Sequence, residues 1–283
     1  AARRRDLTIN AIAWDPLEQE FIDPFGGRRD LEARLLRAVD PHSFGEDPLR
    51  ALRVAQFAGR FGFAVDPSLE DLCRLMPLAD LPAERIHGEV DKLLLKSIRP
   101  SDGWDLAFRT GMWEKVLPEW GPCPQLLDAR AAQSRGLQTA RRRALLYAAA
   151  CERCTLDESI KILDRLRLFR WEGYRLREQV LFLVAERDSD LARDAALRWA
   201  ADRGDLELLS LLRGEPALRE RAEQLGVLAG PLPPLLLGRD LIQLGVPPGD
   251  EMGRLLDQLR HHHREGQLGS REEALAWVKT QLA

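Results

Sequence analysis

The string Asp47-Pro48-Leu49-Arg50-Ala51-Leu52-Arg53 sets a carboxylate three residues before a guanidinium, with a second guanidinium three residues further on. An Asp before a Pro is a favoured helix start: the carboxylate accepts from free backbone N–H groups, and the Pro takes the first helical position, where an N–H is not needed. Residues three apart share one side of a helix. Asp47 and Arg50 can therefore pair with each other, which only secures a helix end, or face outward together as an acceptor beside a donor. The outward edge is complementary to cytosine and adenine, which both carry an exocyclic amino donor beside an unprotonated ring nitrogen. Uracil and guanine present a carbonyl beside an N–H and would meet the same edge acceptor to acceptor and donor to donor. Each buried mismatch of that kind costs about 1–3 kcal/mol. Spacing alone leaves both arrangements open.

Other residue sets that could do chemistry are weaker. Cys151 and Cys154 form one C-x-x-C in a helical stretch, with no second pair to complete a tetrahedral zinc site. His261, His262 and His263 point three ways round a helix axis and read as a solvated face. Asp188-Ser189-Asp190 follows the helical stretch QVLFLVAER and reads as a polar turn. No P-loop, dinucleotide fingerprint or G-x-S-x-G context is present.

The elements that must position Asp47 and Arg50 are mainly helices. Residues 7–38 read as helix (LTINAIAWDP), short strand (EFIDPF) and helix (RRDLEARLLRAV), and only this opening hints at β structure. Helical spacing then recurs over 47–63, 67–76, 82–98, 102–112, 125–133, 137–151, 155–167 and 172–187, with a last helix near 270–282. Breaks fall at Pro118–Pro124 and at the Gly230-Pro-Leu-Pro-Pro run. The expected fold class is mostly α, an elongated multi-helical chain with a small α/β piece at its start. With 283 residues, 45% apolar and 31% charged, the chain can bury several cores. No apolar run approaches the ~20 residues that span a bilayer. Four cysteines without a secreted disulfide pattern fit a reducing cytoplasm. The net charge of −3 means that any nucleic-acid contact must come from local patches, of which Arg3–Arg5 and Arg141–Arg143 are candidates.

Three strings in order, RRDLTINA (4–11), DPFGGRRDL (23–31) and EDPLRALRVAQFAGRFG (46–62), resemble successive motifs of class II tRNA nucleotidyltransferases (CCA-adding enzymes) and bacterial poly(A) polymerases. GRDLIQLGVPPGDEMGRLLDQLR resembles the C-terminal segment of many bacterial members. The resemblance implies that Asp47 and Arg50 read the incoming base, that Arg53 also reaches the nucleotide, that Arg5 contacts phosphate and that Asp6 sits close to the ribose. Glu46, Asn10 and Arg60 would be supporting residues. Gln56 stands where the family usually has another Arg, which removes a positive charge. The implied division is a head remnant (1–39), a base-recognising neck (40–124), a body (125–229) and a tRNA-binding tail (230–283). The implied partners are CTP, ATP and the tRNA acceptor arm. The family's Mg²⁺ ions hang from a D-x-D expected upstream of Arg4, so this chain alone is expected to be inactive, with no catalytic or metal-ligating residue of its own. CCA-, CC- and A-adding enzymes and poly(A) polymerases share these motifs, and an RNA-binding relative without a head is a further alternative.

Overall fold

The computed structural model describes residues 2–282. Helix accounts for 59% of it, nearly twice the roughly 30–35% of ordinary globular domains. The chain forms two compact units, one through Val184 and one from Ala185 onward.

In the first unit, 3-10 turns at Ala2–Arg4 and Thr8–Asn10 lead to an antiparallel hairpin of β1 (Ala13–Asp15) and β2 (Glu20–Ile22), with Ala13 opposite Ile22. α1 (Gly27–Glu32) starts where the Asp23 carboxylate accepts from the amides of Gly27 at 2.7 Å and Arg28 at 2.9 Å. β3 (Leu35–Leu36) then pairs in parallel with β4 (Ala64–Val65). Three expectations need correction here. Residues 7–16 turn only at Thr8–Asn10 and are strand at Ala13–Asp15. The helix expected to run on to Val39 ends at Glu32, because Arg34 takes a left-handed φ of 54° and Leu35–Leu36 join a strand. β structure is not confined to the opening, since β4 follows the next long helix. Strand pairing outweighs local apolar spacing in each case, within a tight hairpin for β1 and with a distant segment for β3 and β4.

α2 (Pro41–Phe44), α3 (Leu49–Phe61), α4 (Pro67–Leu75), α5 (Ala83–Lys96), α6 (Pro100–Arg109) and α7 (Met112–Val116) follow. α3 buries Leu49, Leu52, Val54 and Ala55 and packs on α5 and α6. Its approach to α6 requires a glycine, because a Cβ on Gly103 would lie 2.1 Å from the Ala55 carbonyl oxygen. The single helix expected over 102–112 is broken at Gly111, whose φ is 71°. Trp104, Trp113 and Trp120 cluster in tilted and edge-on contacts with ring centroids 4.4–5.1 Å apart.

α8 (Leu127–Gln133), α9 (Thr139–Ala150), α10 (Leu156–Arg165) and α11 (Leu176–Glu186) complete this unit's helices, α11 running on past Val184. The helix expected from 172 begins at Leu176. Before it, Trp171 and Tyr174 exchange both backbone hydrogen bonds (3.0 and 2.8 Å) around Glu172 and Gly173, at φ 47° and 85°.

The second unit contains α12 (Asp194–Ala201), α13 (Leu206–Arg213), α14 (Pro216–Gln224), α15 (Gly238–Gln243), α16 (Asp250–Arg264) and α17 (Arg271–Leu282). Leu236, Leu241, Leu255, Leu259 and Val278 form the core of its last three helices. Among the described residues, no helix is long and apolar enough to cross a membrane.

Candidate functional site

α3 brings most of the residues named from the sequence to one place. Asp47 stands at its start: Oδ1 accepts from the Leu49 amide at 3.1 Å, and Oδ2 accepts from the Arg85 guanidinium at 2.8 Å. Arg50, one turn on, does not pair with Asp47. Its Nη2 donates to the Arg4 carbonyl at 2.7 Å and its Nη1 to the Ser43 carbonyl. The self-paired arrangement of the DPLR string is therefore not formed. Both groups keep spare capacity, because the carboxylate has further lone pairs and the guanidinium further N–H donors.

Arg53 donates from Nε to Asp6 at 2.7 Å. Asp6 is buried and also accepts from the Leu7 amide and from Asn10 Nδ2, each at 2.9 Å. Burial pushes the Asp6 carboxyl up, but the hydrogen bonds from Asn10, Arg53 and Leu7, with the Arg53 charge, outweigh it and hold the group below the usual carboxylate range. Asn10 thus helps to hold Asp6 in place. Glu46 turns to Arg4 at 3.3 Å rather than to Arg50 or Arg53. Arg5 is exposed, and its guanidinium makes no hydrogen bond or ion pair with the described residues. Arg60 lies two turns beyond Arg53, its guanidinium 5.2 Å from the Phe61 ring centroid, and takes no part in the cluster. Gln56 is buried, and its Nε2 has no hydrogen-bond partner among the described residues. A neutral amide is cheaper to bury there than a guanidinium.

Sequence reasoning missed Arg85, the partner of Asp47. It lies in the first turn of α5, and nothing in its local string distinguishes it from a solvated helix residue.

The basic patch expected at Arg141–Arg143 needs correction. Arg143 is buried, with Nε and Nη2 on Asp91 at 2.6 and 2.8 Å and its guanidinium 3.6 Å from the Trp171 ring centroid. Arg142 donates to Ser134 Oγ at 3.4 Å, and Arg141 is also engaged.

No group of three or more His, Cys, Asp or Glu side chains among the described residues could hold a metal ion. Asp188 pairs with Arg187 at 3.0 Å, and Asp190 accepts from the Ala192 amide at 2.9 Å, as a polar turn does. Cys151 and Cys154 are buried at and just beyond the end of α9. A magnesium site does not fit the donors present among the described residues.

Residues 1–37 match the family described as the poly A polymerase head domain, and residues 62–122 match the probable RNA and SrmB-binding site of polymerase A. The CCA-adding enzyme of Bordetella pertussis is 36% identical over 213 residues, covering 73% of this chain and 53% of that protein. The multifunctional CCA protein of Laribacter hongkongensis is 42% identical over 133 residues, covering 44% of this chain and 32% of that protein. The match thus spans about half or less of these relatives' length. The fold resembles the Bacillus stearothermophilus CCA-adding enzyme in complex with CTP (TM-score 0.71, 25% identity, 99% of this chain and 73% of that one). It also resembles the Thermotoga maritima enzyme complexed with tRNA (TM-score 0.69, 22% identity, 100% and 73%). Both polymerase-A matches in order, the Bordetella relative and this fold along the whole chain make the protein similar to the class II CCA-adding enzymes and poly(A) polymerases.

Proposed function

We propose that this chain supplies the base-reading and RNA-holding parts of a tRNA 3′-end nucleotidyltransferase, which adds CMP and AMP from CTP and ATP without a nucleic-acid template. The observation that carries this is the start of α3, where Asp47 and Arg50 stand one turn apart, unpaired with each other. Arg85 and the Leu49 amide hold the Asp47 carboxylate from two sides, leaving lone pairs for an exocyclic amino group. The Arg4 and Ser43 carbonyls hold Arg50, leaving N–H donors for an unprotonated ring nitrogen.

Arg5, exposed beside this edge, takes a triphosphate oxygen. Asp6 accepts from a ribose hydroxyl and favours ribonucleotides. The neck (40–124) reads the base, and the body and tail (125–283) hold the tRNA acceptor arm by backbone and shape contacts. In the complete enzyme, magnesium ions would supply charge stabilisation at the transferring phosphate. A reducing cytoplasm suits the four thiols. The alternative is a poly(A) polymerase, favoured by the matches at 1–37 and 62–122 to polymerase-A domains.

The test is product identity in the complete enzyme, assayed on tRNA lacking its 3′ end. Wild type should incorporate C and A and stop, whereas unlimited A addition points to the poly(A) polymerase. Exchanging the polarity with Asp47→Arg and Arg50→Asp should move incorporation toward UTP or GTP. Unchanged nucleotide ratios in that variant would contradict the base-reading assignment.

A further inference from the structure

The segment from Lys161 to Glu178 carries Lys161, Arg165, Arg167, Arg170, Arg175 and Arg177 against Asp164, Glu172 and Glu178, a local excess of positive charge in a chain of net charge −3. Aromatic side chains alternate with these cations, as Phe169, Trp171 and Tyr174. α10 ends as the amides of Arg167 and Leu168 bond back to the carbonyls of Asp164 and Leu163 at 3.1 and 2.8 Å. This closure puts Arg167 at φ 54°, a conformation that favours glycine. The chain then reverses at Glu172-Gly173, and the Arg177 amide returns to the Phe169 carbonyl at 3.1 Å.

Two anchors fix this hairpin. Arg143 covers the Trp171 ring and is itself held on Asp91 of α5. Arg167 pairs with Glu84 in the first turn of α5, the residue beside Arg85, which holds Asp47. Beyond these anchors, Phe169 leaves 51% of its surface exposed. Arg170 is exposed and makes no hydrogen bond or ion pair with the described residues. Arg175 is exposed and pairs with Glu178 at 3.3 Å.

We propose that the Arg167–Arg175 hairpin is an RNA-contacting element, in which Phe169 stacks on an unpaired base while Arg170, with Arg167 and Arg175, engages the neighbouring phosphates. Unpaired RNA offers this surface both of the features it lacks, an open π-face and a line of negative charge. The proposal rests on the reading that the chain acts on RNA and adds the residues that hold it.

The test is binding of the 283-residue chain to an acceptor-stem minihelix with an unpaired 3′ end, followed by fluorescence anisotropy over a salt series, with CTP binding measured in parallel. Phe169→Ala should weaken RNA binding roughly five-fold or more without changing the salt slope, and Phe169→Trp should restore it. Arg170→Ala should weaken binding and lower the salt slope by about one. Both side chains are exposed, so melting temperature and CTP affinity should hold. RNA affinity unchanged in both variants, while wild type binds RNA, overturns the hairpin assignment and leaves the RNA reading standing. Wild type that binds no RNA removes both. Loss of self-association in place of RNA affinity gives this surface to a second copy of the chain and also overturns the proposal.

Discussion

Arg5 and Arg53 carry the same charge, yet the structure uses them differently. Arg53 is held by buried Asp6, whereas Arg5 is exposed and its guanidinium has no partner among the described residues. If Arg5 serves a triphosphate, Arg5→Ala should weaken CTP and ATP alike and leave the melting temperature within about a degree, because nothing in the fold leans on it. Equal loss of stability and affinity would assign it to the scaffold. Asp6 gives a signed acid prediction. Its folded carboxyl lies below the ordinary value of 3.8, so the bonds from Asn10 and Arg53 stabilise the fold fully above that value. Their contribution is lost as pH falls through the lowered folded value. Between pH 5 and 2, wild type should therefore lose melting temperature more steeply than Asp6→Asn; parallel curves would show that the carboxylate contributes nothing. At this scale the sequence carried the residue types and their common side of α3. It did not carry the partners: Arg85 lies 38 residues from Asp47 and the Arg4 carbonyl 46 residues from Arg50, and no local periodicity records contacts so distant.

Elements with a long apolar stripe were legible, α3, α4 and α5 among them, to within a few residues of their ends. Those formed by distant pairing were not. Leu35-Leu36 looks like one more helical turn until Ala64 and Val65 come to lie beside it. The Glu172-Gly173 reversal hid inside a stretch with helical spacing. Arg141–Arg143 shows the same limit for function, since three consecutive arginines read as a solvated patch until one of them is folded inward. The link from α5 to α9 rests on that inward arginine, because Asp91 and Trp171 enclose it. Arg143→Ala leaves the Asp91 carboxylate without its partner and should cost on the order of 3 kcal/mol, read as a shifted urea midpoint. Arg143→Lys keeps a charge but not the two-bonded fork or the flat contact with the Trp171 ring, and should recover only part of the loss. A midpoint unchanged in both variants would show that the link is not needed.

Across the whole molecule, the net charge of −3 conceals local asymmetry, because the cations between Lys161 and Arg177 outnumber their acidic neighbours. Residues 1–37 and 62–122 match family models, while the likeness in fold runs along the whole chain. That pattern follows from physics: a base-reading edge needs particular residue types at fixed spacing, whereas a packed helix needs only an apolar face. The central claim is that Asp47 and Arg50 form that edge, and equilibrium affinity for the four ribonucleoside triphosphates tests it most directly, in wild type and in Arg50→Ala with melting temperatures recorded beside them. The account predicts that wild type prefers CTP and ATP to UTP and GTP, and that Arg50→Ala loses about 1–3 kcal/mol for the first two only. Equal affinity for all four, or a variant that melts lower while keeping the wild-type ratios, would contradict it.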